Sequence, residues 1–558
     1  MHLADLFHSF RPLQNPLGFS GADYVVLAIA LLASGLIAGR ALLGPYLLKI
    51  TERTPVAMFA LAGLAVLLRL ALLPQAPVPI ASGADDFSYL LLADTLSQAR
   101  LANVPHTLPQ FFEAVFVLQE PTYASIYPLG QGIALALGKI MFGSYWAGVL
   151  LPVAAIPALS YWMLREFVFS KWAFVGGLLS AIQFGALSPW MNSYWGGGVS
   201  ACAGCLVFGS LPRLKRGRRY AILLGTGLAL QLLTRPFETL LLGLCVVAWL
   251  VLDSRSRAAH VFLAGIPLAA ALALTLTQNK AVTGQWTTLP YMLSRYQYGV
   301  PTTFTWQPNP IPHRALTAEQ ELDYRAQAAV HGPGNESIRT YLERLLSRLT
   351  YLRFFWLAPL FAAAIAFVPD LRKRSWMAVA VAIAIFWAGT NSYPYFFPHY
   401  VAAISTLLVL VAVRGLERLN RVRFLAPCIL LICGVHFLFW YAVHALGGSP
   451  LPVTEYETWN YVNPPDPEQR RSLNSELEKM PGQQLVFVRY SPVHRFDEWI
   501  HNDAEIDRAK VVWAADLGEG ENQKLFHYFP HRTVWLLEPD KVPRRLQPYP
   551  KPGLEFRN

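Results

Sequence analysis

Apolar residues gather in repeated runs along this chain, separated by short polar loops. The runs are roughly 17–22 residues long, about what an α-helix needs to cross the hydrocarbon core of a membrane. Run length predicts about twelve spans, near 24–43, 55–73, 146–165, 172–190, 197–212, 220–234, 237–253, 260–277, 352–368, 376–390, 398–414 and 424–444. Every second loop between them is basic. These loops carry Lys49 and Arg53, Arg165 and Lys171, the stretch from Arg213 to Arg219, Arg255 and Arg257, Arg372 to Arg374, and Arg414 to Arg423. Basic loops stay on the cytoplasmic side, so this alternation orients every span at once. The opposite side then receives both termini and three long segments, 74–145, 278–351 and 445–558.

Each long segment has its own pattern. In the first, Phe87 to Leu101 carries Leu90, Leu91, Leu92, Leu96 and Leu101 with Asp94, Ser97 and Gln98 between them, which predicts an amphipathic helix on the membrane. A short apolar helix over 131–142 follows at the outer interface. The second segment is rich in Trp, Tyr and Pro, as an ordered loop at headgroup level would be, and Glu336 to Leu349 predicts an amphipathic helix leading into the next span. In the third, Asp466–Met480 and 519–528 read as helices. Leu485–Tyr490, Lys510–Ala514 and Thr533–Leu537 read as strands, together a small α/β domain without a Gly-rich phosphate loop.

Composition agrees with the run pattern. The 558 residues are 54% hydrophobic and 15% charged, where a soluble domain carries about 25% charge. The net charge of +11 follows the cytoplasmic loops and is not a nucleic-acid signal. Five cysteines, Cys202, Cys205, Cys245, Cys428 and Cys433, all fall in apolar runs and read as small buried hydrophobes, with no disulfide framework. The expected organisation is a segment 1–54 with one extra span, a transmembrane portion 55–444 and a soluble portion 445–558.

Candidate chemistry collects at the outer ends of the spans. Asp85 and Asp86 stand just past the 55–73 run, where two adjacent charges cost desolvation and repulsion unless something uses them. Two roles are open: a cap for the following helix, or acid–base chemistry. The same side receives Asn192, Tyr194 and Trp195, then Arg235 and Glu238, then His399 and Tyr400. Arg235 and Glu238 fit a structural ion pair, yet an arginine at that depth also suits a phosphate. His399 fits an interfacial histidine or a ligand contact. Tyr194 and Trp195 fit belt aromatics or a stacking surface for a sugar. The Trp195-Gly-Gly-Gly198 stretch fits a turn or a close backbone approach to a ligand.

With these residues the sequence resembles the GT-C superfamily of membrane glycosyltransferases, in the branch of lipid A aminoarabinose transferases, protein O-mannosyltransferases and rhizobial galacturonosyltransferase-like proteins. That family carries a paired acidic motif in its first long extracytoplasmic loop, matched here by Asp85-Asp86. A Pro-containing turn opens a short helix, here Tyr127-Pro-Leu-Gly130, with one Pro where two are common. A later span ends in polar residues, here Ser188–Trp195. The likeness covers roughly 55–415 and departs from the family in the extra span before the acidic loop.

The resemblance implies a GT-C-like fold and inverting transfer of a sugar from a polyprenyl-phosphate-linked donor at the extracytoplasmic face of a bacterial inner membrane. The acceptor would be a glycan, a lipid or a protein. Asp85 or Asp86 would act as base, with Asp86 favoured because it is nearer the helix that would fix its geometry, or the two would share a divalent cation with the donor phosphate. Arg235 would meet the phosphate, and Tyr127, Asn192, Tyr194, Trp195, Glu238, His399 and Tyr400 would line the substrate. Expected partners are the lipid-linked donor, the acceptor and membrane lipids, with no nucleic acid. Two rival readings are a flippase for a lipid-linked saccharide and a membrane scaffold. The gathering of polar clusters on one side disfavours the flippase, whose site belongs near midplane.

Overall fold

The computed structural model describes residues 50–81, 83–252, 258–422, 424–446, 470–492, 494, 498–541 and 544–549. The expected 24–43 span, the basic residues Lys49, Arg255, Arg257 and Arg423, and the start of the Asp466–Met480 helix lie outside these residues. Two compact units are formed. One draws on 1–79, 137–274 and 335–463, and the other on 80–136, 275–334 and 464–558.

The first unit is helical. Among the described residues, five helices are long and apolar enough to cross a membrane: Thr54–Ala71, Ala147–Leu164, Val261–Thr283, Pro398–Leu419 and Leu425–Ala445. Pro236–Leu252 and Arg374–Thr390 are apolar and shorter. The Val261–Thr283 helix begins in this unit and runs on into the other. The expected span over 352–368 is broken: a 3-10 segment, Arg348–Phe354, precedes a short helix, Leu360–Phe367. Pro359 accounts for the break, because proline belongs at the start of a helix and disfavours helix in the residue before it.

Small residues let the helices approach closely, the usual packing device where no water drives association. A Cβ on Gly204, in the Gly198–Ser210 helix, would lie 1.7 Å from the Ala403 carbonyl oxygen. Cys205 on the same helix lies 3.0 Å from Thr406 Oγ1, and Cys202 donates to the Pro152 carbonyl at 3.2 Å. The described cysteines are all free, as the run pattern implied.

The second unit contains the β structure. A short hairpin joins β1 (Val117–Leu118) to β2 (Ala124–Ser125). A four-stranded sheet is built from β3 (Gln484–Val488), β4 (Val511–Ala515), β5 (Thr533–Glu538) and β6 (Arg545–Pro548) in the order β4-β3-β5-β6. The first three strands are parallel and β6 is antiparallel. Alternate side chains leave opposite faces of a strand. Val486 and Val488 pack with Leu477, Trp499 and Leu537 on one face, and Leu485 and Phe487 pack on the other. That second face is completed by residues nearly four hundred positions earlier in the chain, including Leu91, Phe111, Phe112, Val117 and Tyr123. Tyr123 also donates to the Asn502 carbonyl at 3.0 Å, and Asp94 accepts from the Ala504 amide at 2.8 Å. The C-terminal sheet therefore shares its core with the first long loop.

Candidate active site

The acidic pair lies inside a helix. Gly83, in extended conformation, is the N-cap of the Ala84–Ser97 helix, and Asp85 and Asp86 occupy its first turn. The N-cap residue itself is a glycine and brings no side chain to the cap. In the first turn both carboxylates are favoured by the helix N-terminus, which attracts anions. The helix is also less amphipathic than the leucine pattern predicted, because Ser88, Tyr89, Leu91, Leu92 and Thr95 are all buried.

The two aspartates differ. Asp86 is 4% exposed, whereas Asp85 is half-buried and accepts a hydrogen bond from the Tyr127 hydroxyl. Tyr127 is itself fixed. Its ring stacks on Tyr89 with centroids 4.1 Å apart, its amide donates to Ser125 Oγ at 3.1 Å, and its carbonyl accepts from Gln278 at 2.9 Å. The second member of the expected site on this unit is therefore a support for the first.

Three further groups stand nearby in the same unit, and the sequence reading did not single them out. Burial raises the Asp323 carboxyl to about 7; a 2.7 Å hydrogen bond from Gln327 opposes the rise and the charge of Asp85 adds to it. Burial raises Glu498 to about 8, helped by Glu319 and Asp323 and opposed by Arg470. Arg470 lies over the rings of Phe87 (4.8 Å) and Trp499 (4.3 Å). Asp323 comes from the second long loop and Glu498 from the C-terminal segment, so only folding brings them to the acidic helix. The cluster of Glu319, Glu321 and Asp323 in one short stretch was the visible signal.

The other candidates belong to the helical unit and fall into two groups. Arg235, Glu238, His399, Tyr400 and Trp195 come together. Arg235 Nη1 is 3.4 Å from Glu238 Oε1, and its guanidinium lies 4.9 Å from the centre of the Tyr400 ring. Glu238 also takes a hydrogen bond from Tyr393. His399 is 9% exposed and is enclosed by Trp195 (5.8 Å), Phe397 (5.5 Å) and Tyr400 (4.8 Å). No described residue hydrogen-bonds its ring. Arg235 is half-buried, and its planar guanidinium is the kind of group that matches the oxygens of a phosphate.

Asn192 and Tyr194 stand apart from that group. The Asn192 amide accepts from Arg69 Nε at 2.9 Å and donates to the carbonyls of Ala186 (2.9 Å) and Ser188 (2.8 Å). Arg69 turns its other nitrogens to the Ala76 and Pro77 carbonyls. Tyr194 donates to the Pro79 carbonyl at 2.9 Å. Asn192 thus holds Arg69 at the end of the Thr54–Ala71 helix, and Tyr194 holds the chain just past it. The glycines after Trp195 serve packing: Gly197 has φ +118°, and a Cβ there would meet the Trp190 ring at 2.5 Å.

Asp85 and Asp86 occupy consecutive positions of one helical turn. Consecutive helical positions point about 100° apart and do not face one another. Among the described residues no three His, Cys, Asp or Glu side chains come together as a metal-binding group.

No family model matches the sequence, and no curated protein matches it. Several solved structures are similar to the chain. ArnT from Cupriavidus metallidurans in the apo state superposes with a TM-score of 0.50 at 13% identity, over 87% of this chain and 92% of that one. The same protein bound to undecaprenyl phosphate gives a TM-score of 0.46 at 11% identity, over 77% and 82%. The Archaeoglobus fulgidus oligosaccharyltransferase in complex with zinc and sulfate gives 0.46 at 12%, over 86% and 68%. The first superposition assigns a GT-C-like fold to this chain, as the acidic loop and its downstream pattern suggested.

Proposed function

We propose that this chain is a membrane glycosyltransferase that moves a sugar from a polyprenyl-phosphate donor to an acceptor hydroxyl at the outer face of a bacterial inner membrane. The observation that carries the reading is Asp85: a partly exposed carboxylate, in the first turn of a helix, oriented by a tyrosine that is itself locked by stacking and two hydrogen bonds. A fold shared with ArnT over most of both chains supports it.

In this reading Asp85 accepts the proton of the acceptor hydroxyl as its oxygen attacks the anomeric carbon. The new C–O bond forms as the bond to the phosphate oxygen breaks. Direct displacement inverts the anomeric centre. The leaving polyprenyl phosphate gains negative charge, and Arg235 is the group suited to bind it, since a guanidinium matches phosphate oxygens in geometry and charge. Glu238 and Tyr400 hold Arg235 in place. Asp86, largely buried, is assigned a supporting part. Trp195, His399 and Tyr400 offer an aromatic wall to the donor.

General-base catalysis is worth on the order of a hundred- to ten-thousand-fold. Asp85→Asn, assayed in proteoliposomes with radiolabelled polyprenyl-phosphate sugars, should therefore lower transfer by at least about a hundredfold. Transfer at the parental rate by both Asp85→Asn and Asp86→Asn would refute the catalytic assignment.

A further inference from the structure

The Ile338–Ser347 helix is strongly two-faced. Ser337 caps it by accepting from the Thr340 amide at 3.1 Å. Ile338, Leu342 and Leu346 recur every fourth residue and are 81%, 49% and 47% exposed. The other face is pinned. Tyr341 donates to the Ala388 carbonyl at 2.6 Å, and Arg344 donates twice to the Asn391 carbonyl, at 3.1 and 2.7 Å. Arg348, just beyond the helix, donates to the carbonyls of Thr390 (2.9 Å) and Tyr393 (2.6 Å). Asn391 returns a hydrogen bond to the Tyr341 carbonyl at 2.9 Å.

These carbonyls belong to the last turn of the apolar Arg374–Thr390 helix and the residues beyond it. The two-faced helix is therefore fixed at the level where an apolar helix ends. An exposed Ile/Leu row at that level has one natural occupant. Three side chains fall far short of the roughly 800 Å² per partner that a stable protein interface needs. A lipid headgroup–acyl boundary asks only for a narrow apolar row with charged flanks, and Arg339 and Glu343 supply those, paired at 2.8 Å.

The pinned side leads inward. Tyr393, whose carbonyl Arg348 holds, packs its ring on Phe237 (5.4 Å) and Tyr400 (5.1 Å) and hydrogen-bonds Glu238. Tyr400 and Glu238 both contact Arg235.

We infer that the Ile338–Ser347 helix lies in the lipid headgroup–acyl boundary, and that its seat there, passed through Arg348 and Tyr393, positions Arg235 for the phosphate of a lipid-borne molecule. The second half rests on the phosphate role proposed for Arg235; the first half does not.

The test uses the full chain in nanodiscs of phosphatidylethanolamine and phosphatidylglycerol. Nitroxide labels at Ile338→Cys, Leu342→Cys and Leu346→Cys should relax with oxygen, which concentrates in lipid. Labels at Arg339→Cys and Glu343→Cys should relax with a water-borne nickel chelate. Equal access of nickel to both sets overturns the lipid seat. Exclusion of both reagents from the apolar row overturns it too, and indicates a protein cover such as a second copy. The coupling is read by binding of undecaprenyl phosphate. Arg348→Met and Leu342→Glu should each raise Kd, by about tenfold and about fivefold, with Arg348→Lys restoring most of the loss. Unchanged Kd in the Leu342→Glu protein, whose side chain points out of the fold, overturns the coupling. Failure of the wild type to transfer sugar, with these lipid and phosphate results intact, would count against the proposed function alone.

Discussion

Gly204→Ala tests the packing that holds the His399–Tyr400 segment. The new Cβ would meet Ala403 at three backbone atoms: O at 1.7 Å, C at 2.5 Å and Cα at 2.8 Å. No side-chain rotation relieves a clash with backbone, so the two segments must separate. Ordinary carbon–oxygen contact begins near 3.3 Å, which asks for a shift of about 1.5 Å. Overpacking of this kind costs about 1–3 kcal/mol, and the backbone obstacle puts it at the upper end. Alanine returns about 1 kcal/mol of helix propensity over glycine. The net loss is then about 2 kcal/mol, or a melting temperature lower by roughly 2–3 °C at about 2.1 cal/mol/K of unfolding entropy per residue over a unit of this size. Ala403 is four residues from His399. Misplacing a substrate-binding group by about 1 Å costs on the order of a hundredfold in rate. Melting followed by fluorescence-detected size-exclusion chromatography, and sugar transfer measured below the melting range, read the two effects. Gly63→Ala is the control, because a Cβ there meets nothing within 4 Å and should leave the protein as stable or slightly more so. If Gly204→Ala melts and transfers like Gly63→Ala, the close approach of these two segments is not what holds the site.

Two other predictions follow from the acidic unit. Tyr127→Phe keeps the stack on Tyr89 and removes the hydrogen bond to Asp85. A bond to a charged group is worth about 1.5–3 kcal/mol, so kcat should fall by roughly ten- to a hundredfold with KM little changed, and an unaltered kcat would remove Tyr127 from the mechanism. Glu498 predicts a pH effect. Its carboxyl ordinarily titrates near 4.5 and is raised by burial to about 8 in the fold. Between those values the folded state keeps a proton that the unfolded state has lost, so this stabilisation is complete below about 4.5 and is lost as pH rises to about 8. Glu498→Gln should lose less melting temperature than the parent between pH 6 and pH 8.5; an equal loss would mean that Glu498 is ionised in the fold at neutral pH.

Much of this architecture is local information. Apolar run length predicted helices that begin and end within a few residues of those at 54–71, 147–164, 218–234, 236–252, 374–390 and 425–445, because a helix in lipid must be both continuous and apolar. Strand period predicted β3, β4 and β5, and the pattern over Glu336 to Leu349 predicted the two-faced helix. The acidic pair stood out as charge beside an apolar run. The 352–368 run misled, because proline overrides hydropathy locally.

The partnerships were decided elsewhere. Asp85 and Asp86 are adjacent in sequence and chemically identical, yet the turn of a helix buries one and offers the other to Tyr127. Asn192 looked like a ligand-binding amide and is committed to Arg69. Asp323 and Glu498 are unremarkable carboxylates until segments more than a hundred residues apart bury them beside one another. Runs and periods record what each segment must hide from water or show to lipid, and that requirement acts along the chain. Which carboxylate meets which hydroxyl, and which one keeps its proton, depends on burial and on charges delivered by distant segments, and those exist only once the chain has folded.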